Sequence, residues 1–259
     1  MRYSSTIGLK VQGQIRRFSN KISKGLSKPK KRFIGQILFG IQASRDTKLS
    51  NISRSLNEEI KLIKTEQRLS RHMMSKDLTD RINRTLIEDG ISRVKKDTVL
   101  AFDLSDVQKP FAKKMENLAK VWDGSEGKVG QGYWLSEVVG ADVNEEHIIP
   151  LCSELYSQEA KDFESENEQI LKAVRTVNEQ AKGKGIWAID RGGDRRILVR
   201  EFAKMGIRFV IRARGDRQVK TLSGKKEKVI EIANRIKCKT RYKIKFDKEG
   251  YQEEKEIQL

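Results

Sequence analysis

The clearest pattern of apolar and polar positions lies between residues 185 and 214. Residues 186–189 (IWAI) are a short apolar run between glycines, which predicts a buried strand. A helix of about three turns is predicted next, with Gly206 just past its end and an inward face made of Ile197, Leu198, Phe202 and Met205. Residues 209–213 (FVIRA) then predict another strand. Ligands gather outside the carboxyl ends of strands in open α/β sheets, so Asp190 is a candidate site residue.

Upstream, the apolar spacing is helical. Apolar residues step by three and four, which predicts one amphipathic helix through Leu49, Ile52, Leu56, Ile60 and Ile63. A second helix is predicted from an N-cap at Ser75 to Gly90, just past its end. We interpret residues 37–96 as a small helical domain with a basic surface.

From residue 98 the pattern changes to strands. Residues 98–106, 132–142 and 145–157 predict three strands, with a glycine-rich loop at 124–132 after the first. A long helix follows, and then the strand, helix and strand of residues 186–213. This β-β-β-α-β-α-β order predicts an α/β protein with an RNase H-like mixed sheet.

In the last stretch, residues 238–259, apolar and polar residues alternate on both sides of a turn at Lys248–Gly250, which predicts a hairpin. We interpret it as the start of a β-rich insertion that follows the sheet. The expected organisation is an arm at 1–36, a helical DNA-binding domain at 37–96, a partial catalytic domain at 97–224 and the insertion at 225–259.

The charge balance points to a polyanionic partner. The chain of 259 residues carries 54 Lys and Arg against 36 Asp and Glu, a net charge of +18, which is typical of nucleic-acid binding. Residues 1–36 hold ten Lys or Arg and no acid. We expect a basic, partly flexible arm that contacts phosphates through Lys30, Lys31 and Arg32, with a solubilising tail as the alternative.

Two features bear on location. No apolar run approaches the roughly 18 residues that a membrane span needs, so no membrane partner is expected. Cys152 and Cys238 lie far apart without metal-ligand spacing, which favours reduced thiols in a cytoplasmic protein.

Two aspartates occupy matched positions. Asp103 follows VLAF and Asp190 follows IWAI, and each has an alanine two residues earlier, at Ala101 and Ala188. Strand alternation puts each alanine on the face of its aspartate, where it leaves room for an ion. Close carboxylates repel, and a bound divalent cation relieves that cost. Oxygen ligands suit Mg²⁺ or Mn²⁺.

Other interpretations of the same segments stay open. Asp106 and Asp194 are rival ligands, and alone Asp190 would suit an N-cap or turn. Next to Asp190, four arginines are candidate phosphate contacts, the last two on one helical face: Arg191, Arg195, Arg196 and Arg200.

Three segments together resemble the cut-and-paste DDE transposases of bacterial insertion sequences. They are AFDLSD, the block KPFAKKMENLAKVWDGSEGKVGQGYWLSEVVGAD, and AIDRGGDRR with RFVIRARGDR. The resemblance runs from about residue 34 to 225. It implies a helical domain that binds terminal inverted-repeat DNA and an RNase H-like domain whose three acids hold divalent metal, with Asp103 as the first and Asp190 as the second. It also implies target DNA as a substrate, allows a homodimer in a synaptic complex, and fits a bacterial, nucleoid-associated location.

The sequence departs from the family pattern at the third acid. In the family this is a Glu within Tyr-x-x-Arg-x-x-x-Glu on a helix after the β insertion, and no such pattern occurs here. The expectation is a chain truncated inside the insertion, inactive or nearly so in strand transfer by itself.

Two further hypotheses belong to other classes. One is a non-catalytic DNA-binding protein, as a truncated transposase acting as a repressor or a pseudogene product. The other is an unrelated RNase H-like nuclease or resolvase, which needs a third acid such as Glu137 or Glu201.

Overall fold

Helices fill the first third of the chain and a mixed sheet most of the rest. The computed structural model describes residues 6–75, 77–142, 147–236, 241–248 and 251–258. Its N-terminal part contains α1 (Thr6–Ile22), α2 (Lys28–Ser44), α3 (Leu49–Leu56), α4 (Leu62–Met73) and α5 (Asp77–Ile91). No helix in these ranges is both long and apolar enough to cross a membrane.

The segment expected to be a flexible arm is largely helical. Residues 6–36 form α1 and the first half of α2. Ile22, Leu26, Phe33 and Ile34 are buried in one core with Ile52 and others of the helical part. The prediction was wrong because the run of charges masked apolar residues spaced to form a buried helical face.

The single helix predicted through residues 49–63 is also wrong. Asn57 adopts a left-handed conformation with φ 45° and ends α3, and α4 begins only at Leu62. As a result Ile60 and Ile63 are 52% and 53% exposed instead of buried. The periodicity of three and four continued through the turn by coincidence.

The α5 boundary differs from the prediction for a packing reason. Gly90 lies inside α5, one residue before its end. A side chain there would bring its Cβ within 2.7 Å of Leu151 Cδ2, so the glycine permits close packing between the helix and the sheet. A glycine that serves packing was interpreted as a helix terminator.

A largely buried carboxylate in the turn between α3 and α4 joins α2 to α4. Glu58 lies in the α3–α4 turn and accepts hydrogen bonds from Gln36 Nε2 (2.8 Å), Thr65 Oγ1 (2.9 Å) and Arg68 Nη2 (2.6 Å). Arg32 adds an ion pair at 3.1 Å. Burial raises the pKa of Glu58, but the hydrogen bonds from Thr65 and Arg68 outweigh it and the pKa lies below its usual value.

The sheet consists of β1 (Val99–Gln108), β2 (Ala119–Asp123), β3 (Lys128–Ala141), β4 (Ile148–Tyr156), β5 (Ile186–Ile189) and β6 (Phe209–Ile211). Its order is β2-β3-β1-β5-β6, and β4 also pairs with β3. The β1–β5 and β5–β6 pairs are parallel, whereas β3 is antiparallel to its partners. The fold is therefore mixed α/β.

The predicted element order missed one strand. Four strands, not three, precede the long helix, because β2 pairs with the beginning of β3. The tract 124–132, predicted to be a flexible loop, contains a turn and then the first residues of β3. Its glycines concealed the alternation of the strand.

Two helices cover one face of the sheet. They are α6 (Glu166–Ala181), which begins at the N-cap Ser165, and α7 (Arg196–Lys204). Gly206 follows α7 with φ 65°, as predicted, but Ile197 is 45% exposed and not inward. The core under these helices includes Leu100, Phe102, Val138, Trp187, Ile189, Ile170, Val174, Val177, Leu198 and Phe202.

Small elements complete the C-terminal part: β7 (Gln218–Lys220), β8 (Lys226–Lys228), α8 (Val229–Arg235), β9 (Arg241–Lys248) and β10 (Tyr251–Gln258). The predicted terminal hairpin is confirmed, since β9 and β10 pair antiparallel, although residues 249–250 of its turn lie outside the described ranges. A boundary at 224/225 would cut the β7–β8 hairpin, and α8 is a helix where strands were expected.

We predict that Glu58→Gln lowers the stability of the helical part by about 2 kcal/mol, because hydrogen-bond donors lose a buried charged acceptor. The folded-state pKa of Glu58 is depressed. Its contribution is therefore complete above the unfolded pKa of about 4.3 and is lost as pH falls through the lower folded value. Urea unfolding followed by circular dichroism at several pH values measures both effects. Glu59→Gln, at the exposed neighbouring position, is the control and is expected to change neither.

Candidate functional site

Asp103 and Asp190 lie side by side on the open face of the sheet. The parallel register sets Ala101 beside Ala188 and Phe102 beside Ile189. The two aspartates come one residue later, and the backbone of Asp190 is extended (φ −68°, ψ −170°). Phe102 and Ile189 are buried under the helices, so alternation turns both exposed aspartates to the opposite face. Neighbouring strands are about 4.8 Å apart.

Asp103 lies in the middle of β1, as the predicted strand 98–106 implies. The strand continues to Gln108, paired with β3 throughout. Asp103 marks the point where the parallel pairing with β5 stops. The predicted strand ended two residues too early.

A third acid, Glu137 of β3, lies next to Asp103 on the side away from β5. Glu137 lies directly opposite Asp103 in the antiparallel register, and Ser153 of β4 lies opposite Glu137. Ser153 Oγ donates a hydrogen bond of 3.3 Å to Glu137 Oε1. This contact draws the Glu137 carboxylate toward β4 and away from Asp190.

A cationic side chain, Arg212, lies next to Asp190 on the side of β6. The sequence analysis did not identify it as a candidate site residue. Arg212 follows β6, and its backbone N–H donates to the carbonyl of Ile189 at 3.2 Å. Its side chain is exposed and, by alternation, shares the face of Asp190. The signal was present, because Arg212 follows the apolar run FVI just as Asp190 follows IWAI.

Asp190 also has a local structural role. Its Oδ1 accepts a hydrogen bond of 2.8 Å from the N–H of Gly192 and so caps the 3₁₀ turn Arg191–Gly193. Asp190 is therefore an N-cap residue, as the alternative interpretation predicted. Within the described ranges no donor forms a hydrogen bond with Asp190 Oδ2. Gly193 is required for packing, since a Cβ there would lie 2.4 Å from Ile189 Cγ2.

The rival Asp194 is a structural residue. Its side chain is 4% exposed and forms an ion pair with Arg217 at 2.5 Å. The N–H of Arg214 donates to its Oδ2 at 2.7 Å. Burial raises the pKa of Asp194, but the hydrogen bonds from Arg217 and Arg214 and their charges outweigh it, so the pKa lies below its usual value.

The rival Asp106 lies on the other face. It is three residues after Asp103 on one strand, and alternation gives them opposite orientations. Its Oδ2 accepts a hydrogen bond of 2.9 Å from Gln108 Nε2. The structure therefore brings Asp103 and Asp190 together and leaves both rivals elsewhere.

The four arginines near Asp190 divide into two kinds. Arg195 is held in the fold, because it donates to Gly192 O (2.9 Å) and Asn167 Oδ1 (3.0 Å) and pairs with Glu166. Among the described residues nothing pairs with the exposed side chains of Arg191, Arg196 and Arg200. Arg196 and Arg200 lie one turn apart on α7.

The three predicted basic residues of the arm lie in the first turn of α2. Lys31 and Arg32 are exposed, and Lys30 is half-buried. Arg32 is partly engaged through its ion pair with Glu58. No acid occupies this first turn, so the positive charges and the helix dipole add to attract an anion.

The other proposed third acid, Glu201, lies away from the aspartates. It is on α7, on the helix-covered side of the sheet, and pairs with Lys204 (2.7 Å) and Arg175 (4.0 Å). In the ranges that the structure covers, no three acids, histidines or cysteines are close enough to form a metal-ligand group. Cys152 is a half-buried free thiol, and Cys238 lies outside those ranges.

The aspartate pair nevertheless fits a magnesium-like ion. Mg²⁺ is commonly bound through one or two carboxylates, with water and substrate phosphate completing its octahedron. Asp103 and Asp190 supply two hard oxygen ligands on an open face, and no ion pair occupies either of them among the described residues. Asp103 Oδ2 has only a long contact of 3.5 Å with Ser105 Oγ.

Comparison with solved structures finds distant likeness in fold. No family model matches the chain, and no curated protein matches it in sequence. A piggyBac transposase, solved by cryo-EM as a synaptic complex with hairpin DNA, superposes with a TM-score of 0.45 at 12% identity. The superposition covers 92% of this chain and 54% of the other, so the chain spans about half the length of that transposase.

We predict that substitutions of Asp194 and Asp103 have different effects on the stability of the protein. Asp194→Asn is expected to lower the free energy of unfolding by about 2 kcal/mol or more, because Arg217 loses its buried partner. Asp103→Asn is expected to leave stability unchanged or slightly higher in the absence of divalent cations, because it relieves repulsion between carboxylates. Urea titration of both variants in EDTA measures the difference. A loss in Asp103→Asn comparable to that in Asp194→Asn would contradict this assignment.

Proposed function

We propose that the chain is a DDE-type transposase of a bacterial insertion sequence. Its sheet holds a divalent cation at Asp103 and Asp190, and its helical part binds duplex DNA. One observation carries the proposal: the two aspartates stand side by side on an open sheet face, in a protein with a net charge of +18. The three sequence segments that resemble this family include both aspartates.

The substrate would be the phosphodiester at a transposon end. Water attacks phosphorus and the 3′ oxygen leaves, which produces a 3′-OH and a 5′-phosphate. The freed 3′-OH then attacks a phosphodiester of target DNA. A bound Mg²⁺ or Mn²⁺ would stabilise the charge that develops on the phosphate oxygens.

The residues around the aspartates supply positive charge for the DNA backbone. Arg212 lies beside Asp190 on the same face, and Arg191 follows Asp190 directly with an exposed side chain. Arginine binds phosphate in a bidentate manner, so these two side chains can position the scissile strand against the aspartates. Arg196 and Arg200 lie on α7, on the helix-covered side of the sheet, where they add positive charge away from the aspartates. A homodimer would allow two transposon ends to be held in one synaptic complex.

We predict that the chain binds Mn²⁺ at the aspartate pair and binds it more tightly with DNA, because a phosphate adds oxygen ligands. Electron paramagnetic resonance of the full chain mixed with a short duplex measures free Mn²⁺. Asp103→Asn or Asp190→Asn is expected to weaken binding at least about tenfold. Asp216→Asn removes an exposed carboxylate elsewhere and serves as the control. Equal binding by all four proteins would overturn the metal site.

A non-catalytic DNA-binding protein is the second candidate. It is favoured by the lack of a three-residue metal-ligand group among the described residues, since two carboxylates hold a metal weakly and position it poorly. On this hypothesis Mn²⁺ has no effect, and Asp103→Asn and Asp190→Asn bind DNA like the wild type. On either hypothesis we expect strand transfer by this chain alone to be absent or very slow.

DNA binding by either candidate is expected to depend strongly on salt. Each phosphate contact releases condensed counterions and contributes about −0.9 to the slope of log K against log salt. We predict a fall in affinity of at least about a hundredfold between 50 and 200 mM salt.

Lys31→Ala is expected to reduce the slope by about 1. Lys184→Ala, before the amino end of β5, is the control, and fluorescence anisotropy with a labelled duplex is the measurement. A flat response would contradict the basic surface of α2 as a DNA contact.

A further inference from the structure

The exposed face of α4 is a stripe of unpaired polar side chains. Lys64, Gln67 and Arg71 recur at i, i+3 and i+7 and share one side of the helix. Ser70 lies between them, and all four are exposed. Among the described residues none forms a hydrogen bond or ion pair with these side chains. No acid lies in the stripe, and Glu66 stands at its edge, partly covered.

The sides of α4 next to and opposite the stripe are fixed in the fold. Thr65 and Leu69 are 1% and 0% exposed. Arg68 is clamped, because it donates to Gln36 Oε1 and Glu58 Oε2, both at 2.6 Å. Two basic residues three positions apart on one helix therefore have different roles: Arg68 holds the helix and Arg71 faces outward. The stripe is presented on a rigid element.

The elements around α4 have the order of a helix-turn-helix. The short α3 is followed by a five-residue turn, 57–61, and then by α4, and both pack on α2 around Ile34, Ile52 and Leu69. In that motif the second helix lies in the major groove and its N-terminal residues reach base edges. An exposed lysine lies just before each helix, Lys48 before α3 and Lys61 before α4, and both are candidate phosphate contacts.

We infer that α4 is the recognition helix of this protein and that Lys64, Gln67 and Arg71 read base edges in the major groove of duplex DNA. This inference rests on the proposal that the chain binds DNA. From Lys64 to Arg71 the helix rises seven steps of about 1.5 Å, or about 10 Å, which matches about three base pairs. A helix of about 10–12 Å diameter fits a groove about 12 Å wide.

The side chains define the bases that they suit. Arginine pairs in a bidentate manner with the O6 and N7 of guanine, and glutamine pairs with the N6 and N7 of adenine. Lysine also contacts guanine. Ile63, exposed on the same face, suits the methyl group of thymine. These side chains therefore favour a short DNA site of mixed G and A.

The test begins with selection of bound duplexes from a pool with a randomised centre, using the full chain. We expect a preferred sequence to emerge. Arg71→Lys keeps the charge but loses the bidentate fork, so it is expected to lose about tenfold or more in discrimination at one base pair while its affinity for random DNA is unchanged. Gln67→Ala is expected to do the same at a neighbouring base pair.

Two controls separate readout from charge and from folding. Lys184→Ala removes one charge far from α4 and is expected to preserve the selected sequence. Thermal unfolding of each variant is expected to match the wild type, because the substituted side chains are exposed and unpaired. Selection of no sequence, or an unchanged preference in both Arg71→Lys and Gln67→Ala, would overturn the inference.

The result is distinguishable from failure of the proposed transposase centre. Sequence readout by α4 with no Mn²⁺ binding at Asp103 and Asp190 would support this inference and reject that centre. Mn²⁺ binding at the aspartates with sequence-independent DNA binding would do the reverse. Specific capture of a protein surface by α4, with no preference among duplexes, would also overturn the inference.

Discussion

The parallel pairing of β1 with β5 is the constraint on which the candidate site depends. Leu100 and Phe102 on one strand, and Trp187 and Ile189 on the other, are nearly inaccessible beneath α6 and α7. A slip of one residue in either strand would expose these side chains and bury the aspartates, which is strongly unfavourable. Burial of one face therefore fixes the position of Asp103 and Asp190 on the other, and no interaction between the aspartates is needed to bring them together.

The same constraint places like charges next to each other. Neighbouring carboxylates repel, so the fold itself gains nothing from having Asp103 next to Asp190. Natural proteins accept such local conflicts at sites that have a role beyond folding. Arg212 lies beside Asp190, and Ser153 donates a hydrogen bond to Glu137. Among the described residues no cation forms an ion pair with Asp103 or Asp190.

The sequence predicted the parts of this arrangement that depend on local pattern. The helix after Asp190, its end at Gly206 and the strands on either side are as expected, because apolar spacing and a left-handed glycine determine them. The matched alanines before each aspartate correctly indicated a shared face. The partners of each charge could not be predicted, because they come from distant segments: Arg217 for Asp194 and Glu166 for Arg195.

Errors in the helical part have a similar origin. A run of three-and-four spacing does not reveal where a left-handed residue such as Asn57 ends a helix. A run of lysines does not reveal that Phe33 and Ile34 are buried beneath it. In both places tertiary packing decided between local alternatives that the sequence pattern left equally plausible.

The charged side chains of this basic chain divide into those with an ionic partner and those without one. Glu58 pairs with Arg68, Asp194 with Arg217, and Glu166 with Arg195, and each pair joins residues that are separate along the chain. The first two pairs are largely buried, whereas Glu166 and Arg195 are partly exposed. Their neighbours Arg71, Asp190 and Arg196 carry the same chemistry without an ionic partner in the described part of the chain. An unpaired exposed charge costs the fold little, and it retains its full capacity to bind something else. With a net charge of +18, many cations are left without an ionic partner in the described part of the chain, and an extended polyanion is the class of partner that could bind many of them together.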